Sequence, residues 1–350
     1  MTLSILVTGG TGFLGQYIVD AIIEQHPEWS ITVFDLNLPK SPKPSVTYET
    51  GDVTIPSHAN IVISKAKPKV IIHTAGIVPD LANRFSRTLE SRVLSINVDG
   101  TRNVLEAAKQ HSVSALVWTG SYTSIIDDLS RPYRNISEAY PVPSSSLIYG
   151  ESKALAERLV LNANSPTLAT SALRPSAIFG PSDYQLVPSI HACIAKGETP
   201  WIIGPGTNLW DVTYVVNVAD AHILAAENLL SSKPEDRTAA GEAIFISNEQ
   251  PIAFRDFCLA IWAEFGHYPP FEIHVPEQVA AFTGYVAEWS TWLTGSTATL
   301  SRGSVRDACA VRYVDGAKAR RVLGYSPRVA LEEGLKLACE VCSHSLSRDT

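Results

Sequence analysis

The chain has 350 residues, of which 45% are hydrophobic and 18% are charged, so it can build a large core and is not expected to be disordered. Its formal net charge is −7 at pH 7 and no basic run exceeds two residues, which argues against nucleic acid as a partner. No apolar run approaches the ~18–20 residues of a membrane-spanning helix, and a predicted strand follows Met1 too closely for a signal peptide, so a cytoplasmic protein is expected.

Short β-rich runs alternate with amphipathic stretches through the first half of the chain. Strands are predicted at 3–8, 30–35, 46–50, 70–75, 115–119 and 168–174, with a further strand at 242–247. Helices are predicted at 13–25, 57–66, 91–111 and 147–163, and later at 216–230 and 253–266. Near-continuous apolar strands separated by helices are typical of a parallel sheet covered on both faces. The predicted fold is therefore α/β, with a doubly wound parallel sheet.

The first strand leads into a glycine-rich turn, "TGGTGFLG", and then into a helix. Glycines at 9, 12 and 15 allow a tight turn, close backbone approach to a pyrophosphate, and close packing of helix on strand. The N-terminus of the helix supplies free N–H groups to the anion. This predicts a dinucleotide-binding turn that comprises Gly9, Thr11, Gly12, Phe13, Leu14 and Gly15.

An acidic residue ends the second strand, as a dinucleotide site of this type requires. Asp35 follows Gly15 by 20 positions (35 − 15), where a carboxylate can accept hydrogen bonds from the adenosine ribose and would repel a 2′-phosphate. NAD is therefore favoured over NADP, although Lys40 nearby softens that preference. In "GDV" after the third strand, Asp52 and Val53 are predicted to lie at the adenine edge.

Tyr149 and Lys153 are four residues apart in a predicted helix, so both side chains face the same side. A free tyrosine has a pKa of about 10, and a neighbouring ammonium together with a cationic nicotinamide ring would favour the phenolate. Such a phenolate can take the proton of a secondary alcohol while its hydride is transferred to the cofactor. The pair therefore predicts alcohol oxidation.

A hydroxyl should orient the reacting alcohol, and several follow the fifth strand in "LVWTGSYTSII". Ser121 is our choice for this role, with Thr123 and Ser124 as alternatives that the sequence leaves open. No metal site is expected, because the five cysteines include a single CxxC pair, at 339 and 342. An odd set of this kind suits a reducing compartment.

The ordered motifs "TGGTGFLG", "GDVT", "HTAG", "NVDGTRNVLEAA", "YGESKALAE" and "LRPSAIFGP" resemble those of the extended short-chain dehydrogenase/reductases. "NLWDVTYVVNVADAHILAA" and "LGYSPRVALEEGLK" are similar to the 3β-hydroxysteroid dehydrogenase branch, and within it to the fungal sterol-4α-carboxylate 3-dehydrogenases. The resemblance implies Tyr149 as catalytic acid/base, Lys153 as its helper and Ser121 as the partner of the substrate oxygen. It further implies cofactor positions at Ala75, Gly76, Asn97, Pro175 and Ile178.

The resemblance also implies a domain organisation. Residues 1–180 would form an NAD-binding Rossmann domain, to which 213–247 returns. Residues 181–212 and 248–350 would form a smaller substrate lobe, interleaved with the first because no linker separates them. The expected assembly is a homodimer through the helices at 91–111 and 147–163.

The implied reaction is NAD-dependent oxidation of a 3β-hydroxyl on a polycyclic steroid or terpenoid to the 3-ketone. A carboxylate on the neighbouring carbon would then leave as CO2 from the resulting β-keto acid. Trp210, Phe282 and Trp289 are predicted walls of the substrate cleft. The apolar segment 276–293 predicts either a lid helix or a peripheral membrane contact, the latter on the endoplasmic reticulum.

Alternative functions remain open at this point. Tyr122 follows the predicted serine, and Val216 replaces an aspartate common in the family, which favours an altered pocket for a fungal terpenoid or meroterpenoid without decarboxylation. A sugar-nucleotide epimerase or dehydratase would need an arginine-bearing pocket, and 182–212 contains no arginine. A non-catalytic NAD-binding protein would be expected to lack the tyrosine–lysine pair.

Overall fold

The computed structural model describes residues 3–81, 83–142, 147–294 and 301–346, with the side chains of 288–294 and 343–346 left out. Seven strands form one parallel sheet, in the order β3–β2–β1–β4–β5–β7–β12. The strands of the chain are β1 Ser4–Thr8, β2 Ser30–Asp35, β3 Val46–Thr50, β4 Val70–His73, β5 Ala115–Thr119, β6 Tyr133–Ile136, β7 Ala169–Pro175, β8 Ala177–Phe179, β9 Trp201–Ile203, β10 Leu209–Trp210, β11 Val212–Tyr214, β12 Ala243–Ile246, β13 Ile252–Ala253, β14 Ile273–Val275 and β15 Arg312–Val314.

Helices cover both faces of this sheet, as the apolar strands predict. β1 and β4 are buried almost throughout, since helices pack above and below them. The α-helices are α1 Phe13–Gln25, α2 Pro56–Ala66, α3 Glu90–Leu94, α4 Gly100–Gln110, α5 Ile148–Asn162, α6 Leu186–Ala195, α7 Val215–Leu229, α8 Phe254–Glu264, α9 Glu277–Thr294, α10 Arg302–Cys309, α11 Ala317–Leu323 and α12 Leu331–Leu346. The doubly wound α/β fold is therefore confirmed.

The order of strands reverses between β1 and β4, which are hydrogen-bonded neighbours in the sheet. From β1 the chain adds strands toward β3 on one side and toward β5, β7 and β12 on the other. At such a point, the loops that follow the two neighbouring strands run in opposite directions. They leave a crevice between them at the carboxyl ends of the strands. The predicted glycine turn and hydroxyl cluster both follow strands at this edge.

One predicted helix differs from expectation. The segment predicted as a single helix at 91–111 consists of α3, a π-helical segment Ser95–Asp99, and α4. Asn97 lies inside the π-helical segment, and its carbonyl accepts a hydrogen bond of 2.7 Å from the Thr101 hydroxyl. Local π-helical turns break the regular side-chain spacing, and a periodic apolar pattern does not reveal them.

The second half of the chain contributes to both the main sheet and a set of smaller sheets. α7 packs against α1, and β12 forms the edge of the seven-stranded sheet beside β7. β13, β10, β15 and β6 form a four-stranded sheet, while β8 pairs with β11 and β9 pairs with β14. We propose the same division into an NAD-binding domain and a substrate lobe, except that β6 pairs with strands of the lobe.

A search of the described residues finds no helix with the length and apolar character needed to cross a membrane.

Candidate active site

A cavity of about 1510 Å³ opens at the carboxyl edge of the sheet. This exceeds the ~300–1,000 Å³ of most single-ligand pockets, so it has room for a dinucleotide and a second ligand. Most of the predicted site residues line it: Gly9, Gly12, Phe13, Leu14, Gly15, Asp35, Asp52, Val53, Ala75, Gly76, Ser121, Tyr149, Lys153, Pro175 and Ile178. Thr11 and Asn97 lie beside the cavity.

The glycine turn leaves space that side chains would fill. Gly9 has φ +71°, and a Cβ there would lie 2.7 Å from the backbone nitrogen of Ala75. A Cβ on Gly15 would lie 2.1 Å from the Gly9 carbonyl oxygen. In the part of the chain that the structure describes, no side chain caps the first turn of α1, and that turn holds no acidic residue. Its N–H groups therefore suit a phosphate.

The two predicted acids reach the cavity from neighbouring strand ends. Asp35 ends β2 and accepts a hydrogen bond of 3.0 Å from the Thr11 backbone N–H, which fixes its carboxylate beside the glycine turn. Asp52 accepts one of 2.8 Å from the Thr54 backbone N–H. Asp35 is thus placed for ribose hydroxyls, and a carboxylate there suits NAD better than NADP.

Asn97 supports the cavity wall. Its side-chain amide donates to the Ile77 carbonyl and the Ser152 hydroxyl, at 3.1 and 3.0 Å, and its oxygen accepts from the Ile77 N–H at 2.8 Å. These bonds tie the loop after β4 to α5. Gly76 fits between Asn97 and Lys153, since a Cβ on it would lie 3.1 Å from the Asn97 oxygen and 3.4 Å from the lysine Nζ.

Lys153 is buried, and its Nζ donates a hydrogen bond of 2.9 Å to the Thr119 carbonyl at the end of β5. The same ammonium lies 4.9 Å from the Trp118 ring and 5.9 Å from the Tyr149 ring. Burial lowers the lysine pKa to about 8, because the charged form loses hydration. The ammonium therefore predominates at neutral pH, held at a fixed place in the cavity.

The Tyr149 phenol is less acidic in the chain alone than a free tyrosine. Burial raises its pKa to about 12, and hydrogen bonding to Ser121 and the charge of Arg84 only partly oppose this. The predicted phenolate depends on the Lys153 ammonium together with a bound nicotinamide ring, and it stays a prediction.

Three hydroxyls follow β5, and their positions differ. Ser121 lines the cavity, interacts with Tyr149, and accepts from the Thr123 hydroxyl at 2.8 Å. Thr123 also lines the cavity, whereas Ser124 is fully buried away from it, and its hydroxyl has no hydrogen-bond partner among the described atoms. The geometry favours Ser121 for contact with a reacting oxygen.

Two buried histidines support the site, and neither was predicted. His73 bonds to the hydroxyls of Thr8 and Thr101 at 2.6 and 3.1 Å, and burial lowers its pKa to about 3. His222 bonds to the Thr119 hydroxyl at 2.8 Å, and burial lowers its pKa to about 4. Both are therefore neutral at physiological pH and fix the strand ends. The sequence "VIIHTA" could have indicated His73, because it places a polar residue at the end of an apolar strand.

The second half of the chain also contributes walls to the cavity. Tyr122 and Trp210 are 4% exposed and line it, with the Arg312 guanidinium 3.7 Å from the Trp210 ring. Phe282 was predicted as a wall but is 67% exposed and does not line the cavity, because it lies on the outer face of α9. The side chain of Trp289 lies outside the described residues.

The cavity does contain arginines, although 182–212 has none. They come from other segments, so an inference from that one stretch missed them. Arg255 has Glu272 as an ion-pair partner at 3.5 Å, and Arg312 has Asp307. Arg84, in the connection from β4 to α3, donates to the Gln185 side chain at 2.9 Å. Binding residues often lie in long connections at the carboxyl edge of a parallel sheet. The length of the connection from β4 to α3 could therefore have indicated Arg84 as a site residue.

Solved structures similar to this one share its fold. UDP-glucose 4-epimerase from Thermotoga maritima has a TM-score of 0.74 and 22% identity, with 98% of this chain and 100% of that chain covered. The epimerase Mth375 from Methanothermobacter thermautotrophicus has a TM-score of 0.76 and 20% identity, with 100% and 95% covered. At these identities the similarity establishes the fold alone.

Sequence comparisons are more specific. The chain is 40% identical over 338 residues to sterol-4-alpha-carboxylate 3-dehydrogenase, decarboxylating, of Schizosaccharomyces pombe, with 95% of each chain covered. It is 37% identical to the Saccharomyces cerevisiae protein of the same name, with 95% of each covered, and 30% identical to the human one, with 97% and 88% covered.

The model of the 3-beta hydroxysteroid dehydrogenase/isomerase family matches residues 6–277, a span that contains both the glycine turn and Tyr149. The predicted resemblance is thereby confirmed. This chain belongs to the 3-beta hydroxysteroid dehydrogenase/isomerase family.

Proposed function

We propose that the protein oxidises the 3β-hydroxyl of a sterol that carries a 4α-carboxylate, with NAD as hydride acceptor, and that CO2 is then lost. The main observation in support is that a single cavity is lined both by the glycine turn and by Tyr149, Ser121 and Lys153. The names of the relatives support the substrate class, since several are decarboxylating sterol-4-alpha-carboxylate 3-dehydrogenases.

Most of the predicted cofactor residues have a place in this proposal. The glycine turn and α1 N-terminus would hold the pyrophosphate, and Asp35 the adenosine ribose. Ala75, Gly76, Pro175 and Ile178 line the cavity on the side of Lys153, where a nicotinamide would lie. Bound NAD supplies the hydride acceptor.

The chain's own residues move the proton. We propose that Ser121 orients the sterol hydroxyl and that the Tyr149 oxygen accepts its proton, with Lys153 close to the ribose. A phenol pKa of about 12 in the chain alone means that the phenolate is scarce at neutral pH. Oxidation is therefore expected to accelerate as pH rises, because the phenolate fraction grows.

Loss of CO2 requires no separate catalytic residue. Oxidation at C3 converts a substrate with a C4 carboxylate into a β-keto acid. The bond from C4 to the carboxyl carbon then breaks, CO2 leaves, and the electron pair of that bond forms the enolate of the C3 ketone. The enolate takes up one proton at C4 and becomes the ketone.

We expect the purified protein to reduce NAD⁺ with a 4α-carboxy-3β-hydroxysterol and to release one CO2 for each NADH formed. The matched 4α-methyl sterol should give NADH without CO2. Absorbance at the NADH band and trapping of labelled CO2 measure the two products. Turnover of a terpenoid alcohol but of neither sterol would favour the secondary-metabolite alternative, and turnover of a UDP-sugar would favour the epimerase.

We also propose peripheral contact with a membrane, at the endoplasmic reticulum in the cell, through the outer face of α9. Phe282, Tyr285 and Val286 are exposed there by 67%, 44% and 51%. Exposed apolar and aromatic side chains on one helix suit the boundary between lipid headgroups and acyl chains.

The wild-type protein should float with phosphatidylcholine vesicles in a density gradient, and Phe282→Glu should reduce the floating fraction severalfold. Val341→Glu, on α12, is a matched change at a residue that is 41% exposed and should leave flotation unchanged. If the wild type stays at the bottom of the gradient, this membrane contact is wrong.

The homodimer through the helices at 91–111 and 147–163 stays a prediction.

A further inference from the structure

Arg84 is a cation that the proposed mechanism leaves without a role. It lies in the connection between β4 and α3 and lines the cavity, half-buried. Its Nη2 donates a hydrogen bond of 2.9 Å to Oε1 of Gln185, the residue just before α6. Gln185 is itself fixed, since its backbone N–H donates to Asp183 at 2.8 Å.

The Arg84 guanidinium lacks the partners that a buried cation normally has. Its Nε is buried and has no acceptor among the described atoms. Arg255 and Arg312 in the same cavity also have an unpaired Nε, but each has a carboxylate in ion-pair contact. No described carboxylate lies within 4.0 Å of Arg84. A partly buried positive charge paired only with a neutral amide favours binding of an anion.

Arg84 lines the same cavity as the predicted reaction centre. Its charge lowers the pKa of Tyr149, and it acts in the same direction on Tyr122 and Asp183. All of these residues line the cavity with it. In a 4α-carboxy-3β-hydroxysterol the carboxylate is on the carbon next to the carbinol carbon. An alcohol that reaches Tyr149 therefore brings its carboxylate into the region of Arg84.

We propose that the Arg84 guanidinium, positioned by Gln185, binds the 4-carboxylate of the sterol and so selects carboxylated substrates. This inference rests on the proposed function and names the residue that recognises the acid. It also accounts for product release, because the ketone formed after loss of CO2 is uncharged and no longer pairs with the guanidinium.

The test compares two substrates, a 4α-carboxy-3β-hydroxysterol and the same sterol with a 4α-methyl group. Arg84→Gln should lower kcat/KM for the carboxylated sterol about 10–100-fold more than for the methyl sterol, since a charge-assisted hydrogen bond contributes about 1.5–3 kcal/mol. Removing the charge also shifts the Tyr149 pKa, but that effect is common to both substrates, so the ratio of the two kcat/KM values is the decisive quantity. Arg84→Lys should retain part of the preference.

Gln185→Glu provides a second variant that keeps Arg84. A glutamate there would pair with the guanidinium and compete with the substrate, so KM for the carboxylated sterol should rise while the methyl sterol is little affected. Arg134→Gln, at an exposed residue of β6 outside the cavity, is the matched control and should leave the ratio unchanged.

The outcomes separate this inference from the proposed function. Wild-type protein that oxidises neither sterol would overturn the proposed function. Wild-type protein that oxidises the carboxylated sterol, together with an Arg84→Gln variant whose substrate ratio equals the wild-type ratio, would overturn only the role of Arg84. Equal losses on both sterols would assign Arg84 a structural role and likewise overturn the inference.

Discussion

Tyr149→Phe is expected to lower kcat for sterol oxidation about 10²–10⁴-fold, the usual range for loss of a general acid/base. The variant keeps the ring and its packing but removes the oxygen that interacts with Ser121 and that we propose as the acceptor of the substrate proton. The barrier should therefore rise by roughly 3–5 kcal/mol, at about 1.4 kcal/mol for each tenfold loss. Single-turnover NADH formation measures the step directly.

Binding of NADH should survive this substitution, since the phenol oxygen does not contribute to the glycine turn or to Asp35. Tyr268→Phe is the matched control. It removes the same hydroxyl group from a tyrosine that is 74% exposed and does not line the cavity. A Tyr149→Phe variant that retained a tenth or more of wild-type kcat would show that another group accepts the proton.

Gly9→Ala is expected to weaken NADH binding by more than tenfold and to destabilise the fold. Two separate costs arise. The residue has φ +71°, which L-residues with a side chain rarely adopt, at a cost of about 1–3 kcal/mol. The new Cβ would also lie 2.7 and 2.8 Å from the Ala75 backbone, so the loop after β4 must shift. NADH fluorescence titration and thermal unfolding with and without NADH measure both effects.

Gly266→Ala separates the two costs. Gly266 has nearly the same φ, +69°, but nothing lies within 4 Å of a Cβ built there. It should therefore lose stability through backbone strain alone and should bind NADH as the wild type does. If Gly9→Ala matched Gly266→Ala in stability and kept its affinity for NADH, the close contact with Ala75 would have no role in the cofactor turn.

Local pattern predicted the scaffold well. Strands β2, β3 and β5 and helix α1 have the predicted bounds, because near-continuous apolar runs and glycine punctuation are encoded within a few residues. The interruption of the helix at Ser95–Asp99 was missed, because Asn97 is held there by Ile77 and Ser152, which are distant in sequence.

The sequence by itself determined the doubly wound sheet, the glycine turn with its acid at Asp35, and the pairing of Tyr149 with Lys153 on one helix face. Only the tertiary structure decided the electrostatics of the site. It showed a phenol whose pKa burial raises to about 12, a lysine ammonium held by the Thr119 carbonyl, and Arg84 joined to Gln185 across 101 residues. The physical reason is that hydration and charge depend on every element packed around a group, whereas helix and strand periodicity depends on near neighbours.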